Sequence, residues 1–378
     1  MSKLMLATAV GAIVAMAGSS AMATDINQIL GATQQALNSI YTTNNDFGTN
    51  SQTAENAANL VNFNAALDHV NQIATGDQTA VNSATSHWGI LQNLTQSATN
   101  VANSLDLANS HGNVTGADDV DFVAQDSSFL WFGATDQYAK NVASFQQAYE
   151  GPASAVGDDA VPSQSAVNAL NLVSVDDIEL GAYQDVSHWT SQKAINKIEI
   201  SQPNLDTPGP INNANQAATN VANSVNASSA KFIIQKDNGL QLALNSIEIG
   251  AGFKDDASYA PDLLNATQAA TNVSNTATVD TLDWFSAQQS NQTQVAVNLA
   301  EYGNDWTNAG YQDGNVNKLA QTAINATNLL TTTTSGLPSH VLQIATGSQL
   351  AKNVLTTPGG INNITQAATN IANSVSMP

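Results

Sequence analysis

The sequence repeats itself, and that constrains the fold more than any other property it has. A five-residue motif, Gln-x-Ala-x-Asn, occurs fourteen times. Its outer residues are Gln34 and Asn38, Gln52 and Asn56, Gln78 and Asn82, Gln96 and Asn100, Gln137 and Asn141, Gln164 and Asn168, and Gln192 and Asn196. The series continues with Gln216 and Asn220, Gln241 and Asn245, Gln268 and Asn272, Gln294 and Asn298, Gln321 and Asn325, Gln349 and Asn353, and Gln366 and Asn370. Recurrence of this kind marks an architecture in which one unit cannot bury its own face and neighbours complete it.

Two flavours alternate, giving about seven pairs of roughly fifty residues. One reads Gln216-Ala-Ala-Thr-Asn-Val-Ala-Asn-Ser224 and returns at Gln96, Gln268 and Gln366. The other reads Gln192-Lys-Ala-Ile-Asn-Lys-Ile-Glu-Ile200 and returns at Gln241. Connectors repeat too. Ile73-Ala-Thr-Gly-Asp-Gln78 matches Ile344-Ala-Thr-Gly-Ser-Gln349, and Pro210-Ile-Asn-Asn213 matches Gly360-Ile-Asn-Asn363. Residues 105–136, with Asp118, Asp119, Asp121 and Phe129-Leu-Trp-Phe132, read as a decayed repeat or an insertion.

Charge decides between strand and helix. In a strand, Gln, Ala and Asn share one face, and the positions six and eight residues after the Gln continue it. The charges in these windows are Glu55, Lys140, Lys193, Lys197, Glu199, Glu248, Glu301 and Lys352, and all fall on the opposite face. One buried and one wet side predicts a strand. A helical repeat is the alternative, because Ala217, Val221 and Val225 would also form an apolar stripe. Against it stand the mediocre helix propensities of Asn, Thr, Val and Ser, and the turn chemistry of Thr207-Pro-Gly-Pro210 and Thr357-Pro-Gly-Gly360.

The expected fold class is therefore all-β, a β-solenoid of stacked strand-turn repeats. A buried amide needs partners for two donors and an acceptor, and stacked identical amides supply them to one another. The fourteen Gln and Asn pairs named above are the expected ladder residues, and Ala between them keeps the facing sheet close. With one motif per rung, fourteen rungs span about 65 Å.

Composition narrows the function. The formal charge is −21 and the only basic residues besides His are nine Lys, which argues against binding nucleic acid. With no Cys, the chain has no disulfides, thiolate metal sites or covalently attached haem. Lys3, the apolar stretch from Leu4 to Ala17 and Ala21-Met22-Ala23 read as a signal peptide over residues 1–23, leaving a repeat domain over 24–378 and no later membrane span. His69, His87, His111, His188 and His340 show no metal-pair spacing, and Ile324 stands where a calcium loop beginning at Asp313 needs a Glu. Nucleophile elbows, zinc-protease motifs and phosphate loops are missing too. No enzyme, cofactor or metal site is expected.

The motif pattern resembles the curlin repeats of bacterial functional amyloids, whose units carry Gln-x-Gly-x-x-Asn-x-Ala with inward Gln and Asn ladders. Gln216 with Asn220 and Gln268 with Asn272 are matching elements, as are their equivalents along 34–378. Here the spacing is one residue shorter and Ala replaces Gly. The resemblance implies a secreted subunit that self-assembles outside the cell into curli-like fibres for biofilm or surface adhesion. It also implies a nucleator subunit and an outer-membrane secretion pore as partners. The last motif ends near the C-terminus, which favours open-ended pairing. The alternative is a non-polymerising β-solenoid adhesin at the cell surface, using exposed aromatics such as Trp88, Trp189, Trp284 and Trp306.

Overall fold

The computed structural model describes residues 25–42, 50–62, 67–86, 94–107, 119–129, 132–145, 162–200, 211–250, 262–302, 314–333, 338, 340–357 and 359–377. The expected signal peptide, residues 1–23, lies outside them. The protein is all-β, with no helix among the described residues, so the helical alternative fails. The physical reason is visible in the strands. Period-two alternation, as in the BiBiBiBiB burial pattern of Gln78–Ser86, buries Gln, Ala and Asn together and turns every other side chain outward.

Three strands make one layer, and among the described residues seven layers follow one another. The first arm of each layer comprises Ile26–Leu30, Leu67–Ala74, Asp119–Asp126, Asp177–Val186, the second parts of Asn215–Asp237 and Thr267–Ser290, and His340–Ala345. The second arm comprises Gln34–Thr42, Gln78–Ser86, Asp136–Phe145, Ser191–Ile200, Leu240–Ile249, Thr293–Tyr302 and Ser348–Thr356. The third comprises Asn50–Val61, Leu94–Asp106, Ser163–Ser174, the first parts of Asn215–Asp237 and Thr267–Ser290, Ala320–Thr332 and Thr365–Ser376.

Each arm pairs in parallel with its equivalent in the next layer, motif on motif. In the second arm Gln34, Gln78, Gln137, Gln192, Gln241, Gln294 and Gln349 are successive partners. In the third arm the order is Gln52, Gln96, Gln164, Gln216, Gln268, Gln321 and Gln366. The alternating flavours are thus the second and third arms of a single layer. A layer consumes two motifs, so the pair and not the single motif makes one rung. Seven layers, six steps of about 4.8 Å, span only about 29 Å.

The first and third arms share one twelve-stranded sheet, because Asn215–Asp237 and Thr267–Ser290 run unbroken from one arm into the other. The second arms form a seven-stranded sheet of their own. The Ile-Asn-Asn connectors make a four-stranded parallel sheet of two-residue strands, Ile211–Asn212, Leu263–Leu264, Val316–Asn317 and Ile361–Asn362. The residues that follow, Asn213, Asn265, Lys318 and Asn363, all have positive φ and turn the chain into the third arm. Within 105–136 the inserted part is a small antiparallel pair, Ser128–Phe129 with Phe132–Ala134, while Asp119–Asp126 keeps its place as a first arm. The Ala-Thr-Gly connectors are tight for a steric reason. A Cβ at Gly76 would overlap the Ala32 carbonyl, and one at Gly347 the Gln292 carbonyl.

The core is columnar. Motif alanines from Ala36 to Ala323 form one continuous cluster between the second and third arms. A second column, including Val70, Leu105, Val123, Val225, Ile233 and Leu330, fills the space between the first and third arms. The third, with Ile198, Ile247, Leu263, Tyr302 and Val316, packs under the connectors. Each buried Val, Leu or Ile contributes about 1.5–3 kcal/mol.

Candidate functional site

All twenty-eight motif amides named above lie in four parallel columns, two on the second arm and two on the third. Amides joined within a column belong to consecutive layers and are 44 to 68 residues apart in sequence, for example Gln78 with Gln34 and Gln164 with Gln96. In the middle layers they are sealed from water, as Asn168, Asn220 and Gln268 are, at 0% exposure.

The columns have opposite polarity. Every glutamine donates toward the first layer: Gln78 Nε2 to Gln34 Oε1 at 2.8 Å, Gln137 to Gln78 at 2.8 Å, and so on to Gln349 on Gln294 at 2.7 Å. Every motif asparagine donates toward the last: Asn56 Nδ2 to Asn100 Oδ1 at 2.9 Å, continuing to Asn325 on Asn370 at 2.9 Å. In the glutamine columns and in the second-arm asparagine column the remaining N–H sets the direction, because it is spent on a carbonyl of the facing arm. Gln78 Nε2 also reaches Val101 O at 3.0 Å, and Asn82 Nδ2 reaches Ser97 O at 2.7 Å. Reversing either amide would point its oxygen at another oxygen.

Two further columns escaped the motif search. Gln28, Gln72, Gln125, Gln184, Gln235, Gln288 and Gln343 form one along the first arm, again donating toward the first layer. Asn59, Asn103, Asn171, Asn223, Asn275, Asn328 and Asn373 form the other, donating toward the last. All seven of these asparagines have positive φ, from 51° to 61°, a conformation Asn tolerates better than other non-glycine residues. There the strand bends and two consecutive side chains face inward, as Ala222 and Asn223 do. The signal was in the sequence: each lies seven residues after a third-arm motif Gln. Three Gln columns thus oppose three Asn columns, and their side-chain dipoles offset one another.

The columns end in exposed layers. At the last layer Thr365–Ser376 is exposed along its whole length, and neither Ser348–Thr356 nor His340–Ala345 has a buried residue. At the first layer Ile26–Leu30 has none either, but Asn50–Val61 buries Gln52, Ala54, Asn56, Ala58 and Val61. The two ends carry complementary chemistry. The first carries the outermost Oδ1 atoms of the Asn columns, those of Asn38, Asn56 and Asn59, of which Asn56 Oδ1 is covered and without a hydrogen-bond partner among the described residues. The last presents the amide nitrogens of Asn353, Asn370 and Asn373 with the oxygens of Gln343, Gln349 and Gln366. The apolar columns are open as well, with Ile26 and Ile40 partly buried at one end and Val341, Leu355 and Ile364 at the other.

One acid is enclosed. Asp237 is wholly buried, accepting from Gly239 N at 2.9 Å and from Ser274 Oγ at 2.5 Å. Burial pushes its carboxyl up to about 6, against the lowering effect of those two hydrogen bonds. On the outer surface, Lys197 bridges Glu199 at 3.2 Å and Glu248 of the next layer at 2.9 Å. Phe232 stacks on Phe285 with centroids 5.6 Å apart, and Trp189 and Trp284 are 73% and 62% exposed. Trp88, Trp306, His87, His111, Asp118 and Asp313 lie outside the described residues. No family model, curated protein or solved structure matches the chain.

Proposed function

We propose that the protein is a β-solenoid subunit that stacks end to end into extracellular fibres. The observation that carries this reading is the complementarity of the two ends. With the first layer of one copy on the last layer of another, Asn353, Asn370 and Asn373 donate to Asn38, Asn56 and Asn59. Gln28, Gln34 and Gln52 in turn donate to Gln343, Gln349 and Gln366. Six amide columns, three parallel sheets and the apolar columns then continue across the junction. Two identical ends brought together would set Asn oxygen against Asn oxygen, so the contact is heterologous and the assembly does not close. Open strand edges add the backbone hydrogen bonds.

Export rests on the N-terminal pattern of Lys3, Leu4 to Ala17 and Ala21-Met22-Ala23, and a role in biofilm or surface attachment on the curlin-like motif. The high acidic charge keeps dilute copies apart and makes assembly salt-dependent. Electron microscopy and fibre diffraction of aged, purified protein test the reading. Fibres with a reflection near 4.7–4.8 Å along the axis are expected. A sample that stays monomeric at high concentration and high salt overturns it in favour of a capped, non-polymerising adhesin.

A further inference from the structure

One outward column of the first arm changes character at the ends of the molecule. Register places His69 beside Phe122, Phe232 beside Phe285, and Phe285 beside His340. Asp25 flanks His69 in the first layer, its Oδ1 2.9 Å from His69 Nδ1. The column therefore begins with Asp25 and His69, runs through phenylalanines, and ends on His340. Asp68 joins the first two, and one ligand atom from each of Asp25, Asp68 and His69 lies within 4.8 Å of the others.

We propose that a divalent transition-metal ion, zinc in particular, binds at the junction between two stacked copies. Asp25, Asp68 and His69 of one copy hold it, and His340 of the other completes the site. The inference rests on the end-to-end stacking proposed above. In that register Ile26 follows Val341 and Gln28 follows Gln343, so Asp25 follows His340 at one strand spacing, about 4.8 Å. His340 and His69 then stand two layers apart with the short Asp25 between them. In the same column Phe122 and Phe232, two layers apart, have centroids 6.2 Å apart because Gly181 between them has no Cβ, which would come within 2.6 Å of the Phe232 ring; at the junction the intervening residue is itself the ligand Asp25. Two imidazoles and two carboxylates suit tetrahedral zinc. One end alone offers three ligands, of which Asp25 and His69 are exposed. The other end offers one. The ion would also offset acidic charge where two copies of formal charge −21 meet.

The test uses zinc chloride, with magnesium chloride as control, on the purified wild-type protein and the H340A and H69A variants. Both histidines are outward and exposed, and the variants are expected to form fibres at the wild-type rate in chelator. Zinc should speed wild-type assembly and remain in washed wild-type fibres at about one ion per junction by elemental analysis. Its affinity should fall at least about tenfold in fibres of either variant. Wild-type fibres that bind zinc no better than monomers, or no better than H340A fibres, overturn the metal site alone. Failure of any sample to form fibres overturns the stacking and the site together.

Discussion

Asn56 and Asn370 stand at opposite ends of one column of seven amides: Asn56 Oδ1 is buried without a partner, and Asn370 Nδ2 reaches only Gln349 O at 3.5 Å. Between them each amide donates to the next at 2.8–2.9 Å. An unpaired acceptor at one end and an underused donor at the other are the two halves of the bond that a head-to-tail contact would make once Asn56 Oδ1 is uncovered. Placing a charge in that contact should block it without unfolding the subunit. Ala368 is an exposed motif alanine of the last layer, so A368K should leave thermal unfolding of the monomer unchanged while stopping fibre growth in a thioflavin assay. Growth at the wild-type rate would rule out this end as the growing surface.

In the interior the same amides are a matter of stability. N220A removes the acceptor of Asn168 and the donor of Asn272, both fully buried. A buried group left unpaired costs about 1–3 kcal/mol, so a loss of that size in urea unfolding is expected. N370A, at the exposed end of the column, should cost the monomer little. Equal losses at the two positions would contradict the ladder account.

The bent column separates backbone from side-chain effects. Asn223 has φ 53°, donates to Asn275 Oδ1 at 2.9 Å and to Lys236 O at 2.6 Å. N223G keeps the backbone conformation and loses the bonds, whereas N223V loses both and adds a β-branched clash. Chemical unfolding should therefore rank the variants wild type, Gly, Ala, Val in decreasing stability. A valine variant more stable than the glycine one would show that the bend is not held by this conformation.

Asp237 predicts a pH dependence. Its folded value of about 6 lies above the ordinary value of 3.8, so the folded protein holds the proton more tightly. The contribution is present in full below the unfolded value and fades as pH rises through about 6. The shift corresponds to about 3 kcal/mol at most. D237N is close to isosteric and uncharged. Its unfolding free energy should be flatter than wild type between about pH 4 and pH 6, with the variant gaining relative to wild type at pH 7. Parallel pH profiles would show that the wild-type carboxyl titrates normally.

Much of the fold was legible because a strand writes its exposure into alternate residues. Glu199 and Glu248 lie opposite Gln192 and Gln241 in sequence parity, and they lie on the wet face of the second-arm sheet. The first-arm glutamines were harder to see. Gln28, Gln72, Gln235, Gln288 and Gln343 precede a second-arm motif by six residues, but Gln125 and Gln184 precede theirs by twelve and eight. The insertion holding Ser128–Phe129 and the turn at Ser187–Thr190 break the interval. Metal spacing within the chain could not reveal Asp25, Asp68 and His69 either, since parallel stacking brings residues 44 apart to one place.

The sequence alone determined which residues share a face, that charge is excluded from it, and that two motif flavours alternate, because side-chain parity and composition are local properties. Only the tertiary structure decided that two motifs plus an unmarked arm make a layer, that there are seven layers, and that Gln and Asn columns run with opposite polarity. In the glutamine columns and the second-arm asparagine column that polarity depends on which backbone carbonyl faces the amide across the core. That carbonyl lies on another arm, 15 residues from Asn82 at Ser97 and 46 from Gln96 at Val142, a separation that no local pattern records.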